Sequence, residues 1–217
     1  MVMNMNHHTM NYYYKHTDKL TQPEIESLIM NGQSDLKDGL IGNTNQEGES
    51  GTKIRSGKVC FLGDSVIPSS VFVKLNNLLV SCKRANPIWD VNITSLQPLQ
   101  YAEYREGDHY DWHSDQTVPY PDGTIRQLSV VVSLNDPDEY EGGEFEYLIK
   151  GINFPHSQGE PLGHGNDIPE KVMSFKHRAG TIIVFPSFVK HRVAPIVSGV
   201  RRSLTGWYVG NHLSDSA

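Results

Sequence analysis

Residues 180–207 read GTIIVFPSFVKHRVAPIVSGVRRSLTGW, and this stretch decides how the chain is expected to fold. Gly180 to Phe185 is a short β-branched, apolar run stopped by Pro186, and a second strand-like run covers Val200 to Gly210. Segments of the same kind stand upstream at Asn92 to Tyr104, Arg126 to Asn135 and Gly143 to Lys150, divided by Gly, Pro and Asp clusters. Two helices precede them. In TQPEIESLIMNG, Thr21 caps with Glu24 three residues on, Pro23 sits in the first turn and Gly32 closes the helix. From Ser69 to Arg84, Phe72, Leu75, Leu78, Leu79 and Cys82 recur at helical spacing until Pro87. Helices followed by strands predict an α+β chain, mainly β: a double-sheet jelly roll with the N-terminal helices packed on one sheet.

Composition narrows the function. The 217 residues carry a net charge of −6, with 37% hydrophobic and 20% charged residues, which fits one domain over 1–217. Residues 1–91 form a helical support region and 92–210 the β-core. The acidic balance lacks the Lys/Arg clusters of a nucleic-acid binder, and no apolar run approaches the roughly 18 residues of a membrane span. The N-terminus has no secretory pattern, so a cytoplasmic protein is expected. Cys60 and Cys82 are too few for a disulfide framework and read as small buried groups. Gly32 to Lys58 holds six glycines and no aromatic, which predicts a mobile loop over 32–58.

The chemistry-bearing residues lie at three places. In YREGDHYDWHSD, His113 and Asp115 are two apart, so an extended chain presents both to one metal ion. His191 supplies a third ligand, giving the two-imidazole, one-carboxylate set of non-haem Fe(II) oxygenases. Strand alternation then places Arg201, Ser203, Thr205 and Trp207 on one face, and Arg202 on the other. An inward Arg201 suits a buried carboxylate, with Thr205 as a further donor and Trp207 as a wall. Arg202 reads as a surface or rim residue, Trp112 as ordinary packing, and His109, His156, His164 and His177 as histidines with no partner at ligand spacing.

In the order His113-x-Asp115, His191 and then Arg201, the chain resembles the Fe(II)/2-oxoglutarate-dependent dioxygenases of the prolyl 4-hydroxylase type. That resemblance implies a double-stranded β-helix and a metal site of His113, Asp115 and His191, which are also the catalytic residues. It implies binding of 2-oxoglutarate by Arg201, Tyr104 and Thr205, and of substrate by Tyr110, Trp207 and Arg126. The implied cofactors are Fe(II), 2-oxoglutarate and O2, with ascorbate as reductant. The implied activity is procollagen-proline 4-dioxygenase-like: hydroxylation of a peptidyl proline, coupled to decarboxylation of 2-oxoglutarate to succinate and CO2. The partner would be a proline-containing peptide or protein, under a flap formed by the 32–58 loop, and Gly142-Gly143-Glu-Phe resembles a strand start of the family. Two departures stand out. A Tyr that some members use at the far end of 2-oxoglutarate is replaced near Ser133, leaving that end to Tyr104 and Thr205, and the basic residue is Arg where collagen-type enzymes have Lys. Alternatives are a hydroxylase of a free amino acid or other small molecule, a non-oxidative cupin-like metal enzyme, or a non-catalytic binding domain.

Overall fold

The computed structural model describes residues 13–16, 20–39, 54–89, 91–116, 118–150 and 170–211. Helix α1 (Gln22–Gln33) begins as expected, with the Thr21 backbone N–H donating to the Glu24 carboxylate at 2.6 Å. Its end differs from the expectation. Gly32 lies inside the last turn, where a Cβ would come within 2.2 Å of the Tyr101 ring, and Ser34 is the C-cap. Gly32 is thus required by close helix–sheet contact, not by helix termination. Helix α2 (Ser69–Ala85) buries Val71, Leu75, Leu78 and Cys82, and ends where the Asn86 side chain donates to the Cys82 carbonyl at 3.1 Å. Burial pushes the Cys82 thiol up to about 12, and Cys60 is buried as well.

Thirteen strands are described: β1 (Tyr14–His16), β2 (Lys37–Asp38), β3 (Lys58–Leu62), β4 (Ile93–Leu96), β5 (Leu99–Arg105), β6 (Tyr110–His113), β7 (Thr124–Ser133), β8 (Tyr140–Gly142), β9 (Phe145–Lys150), β10 (Glu170–Phe175), β11 (Ile182–Pro186), β12 (His191–Val193) and β13 (Ile196–Asn211). The larger sheet runs β1-β11-β7-β13-β5-β3-β2, with β4 and β8 also paired to β13, and the smaller runs β10-β9-β12-β6. All pairings are antiparallel, as in a jelly roll.

Alternation along the strands separates two interiors. Leu128, Val130, Val132, Leu204 and Tyr208 face α1 and α2 and join Leu28, Leu75 and Leu78 in one core. Val131, Ile183 and Phe185 turn the other way and meet Phe145 and Tyr147 of the smaller sheet. A third cluster, with Ala102, Tyr104, Tyr140, Val193 and Ile196, continues the space between the sheets. The functional residues occupy that space.

The loop reading of 32–58 meets structure at both ends. Gly32 and Gln33 belong to α1, Lys37–Asp38 pair with Lys58 and Val59, and Arg55 forms a β-bridge with Tyr110. Residues 40–53 lie outside the described residues. Among the described residues, no helix is long and apolar enough to cross a membrane.

Candidate active site between the two sheets

Strands β6 and β12 put His113 and His191 opposite each other in register, with ring centroids 4.2 Å apart. Asp115 follows β6, and its two carboxylate oxygens approach the two rings separately: Oδ1 lies 3.8 Å from His113 Nε2, and Oδ2 3.5 Å from His191 Nε2. One ligand atom from each of the three residues lies within 4.8 Å of the others.

Each imidazole is oriented by its own backbone. His113 Nδ1 is 2.7 Å from the Asp111 carbonyl and His191 Nδ1 is 2.9 Å from the Val189 carbonyl. A carbonyl only accepts, so both Nδ1 atoms carry the proton and both Nε2 lone pairs turn to the shared centre. Burial, reinforced by His191, pushes the His113 imidazole down to about 3. Burial alone would raise the Asp115 carboxyl, but the adjoining imidazoles of His191 and His113 and the Ser129 hydroxyl outweigh it and hold it below its ordinary value. Neutral nitrogens and an anionic oxygen, all deprotonated toward one point, fit a divalent cation.

Neighbouring side chains fix the carboxylate. The Ser129 hydroxyl donates to Asp115 Oδ2 at 2.7 Å, and Ser187 Oγ lies 2.9 Å from Ser129 Oγ. Tyr110 stacks on His113 with centroids 3.6 Å apart. Phe145 and Phe185 cover His191 at 5.6 and 4.8 Å.

His113 and Asp115 open onto a cleft of ≈ 970 Å³, which they line together with Arg55, Gln100, Tyr110, Arg126, Thr205 and Trp207. Arg126 lays its guanidinium 3.7 Å over the Trp207 ring and donates from Nε to Gln97 at 2.9 Å. The Trp207 indole is close enough to Asp115 to favour the charged carboxylate, although Nε1 makes no hydrogen bond of good geometry.

Arg201 stands elsewhere. It is buried and lines a separate chamber of ≈ 10 Å³ with Ser133, Tyr140, Gly143, Phe145, Lys176 and His177. Its Nη1 donates to Ser203 Oγ at 3.1 Å, and its guanidinium lies 5.7 Å from the Tyr104 ring. Gly143, at φ +64°, leaves room for this side chain, since a Cβ there would sit 2.4 Å from Ile196 and 3.2 Å from the Arg201 stem. Tyr104 is buried between the two spaces, its hydroxyl 3.3 Å from Arg55 Nη2.

The sequence-predicted residues therefore divide between two places. His113, Asp115, Tyr110, Arg126, Thr205 and Trp207 share the cleft, and Arg201 occupies the chamber, with Tyr104 between. Thr205 faces the cleft and does not line the Arg201 chamber. Arg202 points to the opposite face, 3.4 Å from the buried Glu103 carboxylate, and so packs against the sheet instead of forming a rim. Trp112 lies under the Arg192 guanidinium at 4.9 Å.

Sequence reasoning missed Arg55, Gln100, Ser129, Ser187, Tyr140 and His177. Arg55 was hidden in a polar, Gly-rich segment. Its guanidinium is buried, lies 4.6 Å over the Tyr110 ring and donates to Gln100 at 3.1 Å. Ser129 carried a readable signal: it alternates inward with Val131 and Ser133 on an otherwise apolar strand, where a hydroxyl needs a partner.

Comparisons with known proteins agree with this geometry. Residues 99–209 match the profile of the 2OG-Fe(II) oxygenase superfamily. A PKHD-type hydroxylase of Prochlorococcus marinus (strain NATL2A) is 30% identical over 149 residues, covering 66% of this chain and 58% of that protein. One of Xylella fastidiosa (strain M12) is 34% identical over 118 residues, covering 51% and 43%. The chain spans about half the length of the curated relatives it matches. A prolyl hydroxylase of Trichoplax adhaerens, solved with a hypoxia inducible factor peptide fragment, shares the fold with a TM-score of 0.64 at 19% identity, covering 91% of this chain and 83% of that one. A viral collagen prolyl hydroxylase from Paramecium Bursaria Chlorella virus-1, in its 2OG complex, gives 0.61 at 19% identity, covering 93% and 97%.

Proposed function

The chain belongs to the 2OG-Fe(II) oxygenase superfamily, and from that premise we propose that it hydroxylates a prolyl residue in a peptide or protein, with 2-oxoglutarate as cosubstrate. The observation that carries this reading is the cleft. Its ≈ 970 Å³ opens directly on His113 and Asp115 between aromatic walls, Tyr110 on one side and Trp207 on the other. That is room for an extended chain with one ring laid against the metal site.

In this reading His113, Asp115 and His191 hold Fe(II), and Arg201 pairs with the far carboxylate of 2-oxoglutarate. Bound there, the metal and 2-oxoglutarate would supply oxidative chemistry, with dioxygen's two atoms divided between a hydroxylated substrate and the succinate formed with CO2. The chain supplies position and exclusion. The Asp111 and Val189 carbonyls fix the imidazoles, Ser129 fixes the carboxylate, and Tyr110, Trp207 and Arg126 hold the substrate ring. Tyr104, beside Arg201, and Thr205, at the cleft, would be the further residues holding the cosubstrate. Ascorbate would serve as reductant for such a metal. Residues 92–210 would serve as the catalytic core with 1–91 in support, and of the 32–58 segment the described residue Arg55 reaches the cleft. The free, buried Cys60 and Cys82 suit a reducing compartment, the cytoplasm.

The test is succinate formation from 2-oxoglutarate with Fe(II) and ascorbate under air, with and without proline-rich peptides. Peptide-stimulated turnover with a mass gain of one oxygen on the peptide is expected, and Arg201→Ala abolishes it. No turnover in metal-loaded protein overturns the proposal.

One observation favours a second reading, a free amino acid or other small acid as substrate. The Arg55 guanidinium is 7% exposed at the cleft wall, has an unpartnered Nε and meets no carboxylate among the described residues. Such a group seats a substrate carboxylate. Peptide-independent hydroxylation of small acids, lost in Arg55→Gln, would establish it.

A further inference from the structure

His177 is the histidine whose sequence context showed least. It is 9% exposed, stacks on Phe175 with centroids 5.7 Å apart and planes 10° apart, and leaves Nε2 buried with no hydrogen-bond partner among the described residues. An imidazole nitrogen in that state costs free energy unless something arrives to satisfy it. The ring lines the ≈ 10 Å³ chamber of Arg201, with space for little more than one oxygen-sized atom.

The rest of that lining has complementary chemistry. Arg201 is 5% exposed, and among the described residues it meets no carboxylate. Lys176 is already engaged: its Nζ donates to the Tyr140 carbonyl at 2.9 Å and lies 3.8 Å from Glu144. Tyr140 lines the chamber with Arg201, whose nearby charge opposes the rise that burial gives the phenol, and a protonated phenol can donate. Ser133 lines the same chamber, with a side chain too short to fill it. Phe145 stands between this chamber and the metal site, lining the chamber and packing on His191.

We propose that Arg201, the Tyr140 hydroxyl and the His177 Nε2–H together seat the distal carboxylate of 2-oxoglutarate, with His177 and Tyr140 taking the place left by the short side chain of Ser133. The inference rests on the reading that this chain binds 2-oxoglutarate, and it adds two binding residues from strands β8 and the β10–β11 turn. One cation and two neutral donors converge on one anion. His177 is suited to the neutral role, because burial and the nearby charges of Lys15 and Arg201 push its imidazole down to about 4. A neutral ring has one N–H, and the tautomer that places it on Nε2 donates into the chamber.

The test is calorimetric binding to Mn(II)-loaded protein, comparing 2-oxoglutarate with 2-oxobutanoate, which shares the chelating end and lacks the distal carboxylate. His177→Phe keeps the stack on Phe175 and removes the donor. About tenfold weaker binding of 2-oxoglutarate is expected, with 2-oxobutanoate unchanged. Tyr140→Phe keeps its ring and gives an independent reading, with a several-fold loss confined to 2-oxoglutarate. If both variants bind 2-oxoglutarate as the parent does, or lose both acids equally, the seat is refuted while the oxygenase reading stands. If the parent binds Mn(II) and neither acid, the oxygenase reading fails and the seat falls with it.

Discussion

Ser129 donates its hydroxyl to the same Asp115 oxygen, Oδ2, that lies nearest His191 Nε2, at 2.7 and 3.5 Å respectively. The carboxylate is thereby held with one oxygen toward each imidazole. Ser129→Ala removes that restraint with little change in volume, and outer-shell partners of this kind are worth about 10–100-fold in metal affinity. We expect Mn(II) affinity, measured by calorimetry, to fall within that range while the melting temperature changes little.

The Arg126 guanidinium over Trp207 belongs to the cleft wall and has no contact with the Arg201 chamber. Arg126→Ala therefore separates substrate from cosubstrate. A cation–π contact of this partly covered kind contributes on the order of 1 kcal/mol. The expected result is a several-fold increase in peptide KM with 2-oxoglutarate affinity unchanged, read from initial rates and from binding.

Glu24 joins α1 to α2 through Ser70 at 2.6 Å and Lys74 at 2.6 Å, besides closing the Thr21 cap. Burial works to raise its carboxyl, but Lys74, Ser70 and Thr21 outweigh it and bring it down to about 2. A depressed carboxyl stabilises the fold above its unfolded pKa of about 4.5, and that contribution disappears as pH falls toward 2. Allowing for solvent screening at Lys74, the contribution is about 1–2 kcal/mol. Glu24→Gln should be less stable by that amount in urea unfolding at pH 7, and equal to the parent near pH 2.

Gly32→Ala improves helix propensity by about 1 kcal/mol in isolation. Here the added methyl meets the buried Tyr101 ring at 2.2 Å, so α1 or β5 must shift. Overpacking of that kind costs about 1–3 kcal/mol, and chemical denaturation should show net destabilisation.

Much of the inner face of β13 was readable before any coordinates, because period-two alternation separates Arg201, Ser203, Thr205 and Trp207 from Leu204 and Tyr208, which join the helix-side core. The His113-x-Asp115 pair and His191 were readable for the same reason, their types and spacing being tied to one metal. What stayed hidden depended on contacts between distant segments. Arg55 reaches the cleft through a single β-bridge to Tyr110, and nothing in its polar surroundings marks it. His177 acquires meaning only when β10 and β11 bring it beside Arg201, 24 positions later in the chain. Strand β3 escaped notice because VCFL is too short to announce itself next to a Gly-rich segment.

Strand β13 carries Arg201 at the chamber, Ser203 accepting from it, and Thr205 and Trp207 at the cleft; β5 pairs with it from Val200 to Thr205 and β7 from Ser203 onward. On β7 the opposing residues are Ser133 beside Ser203 and Ser129 beside Trp207, the second of these holding the metal-facing carboxylate. The two ends are thus four residues apart on both strands, about 13 Å at the rise of an extended chain. No joint interrupts the interval. A hydrogen-bonded pair of central strands works here as a fixed gauge: an acid spanning from the metal-facing carboxylate to Arg201, as proposed, would meet a distance that the backbone does not adjust to one methylene more or less.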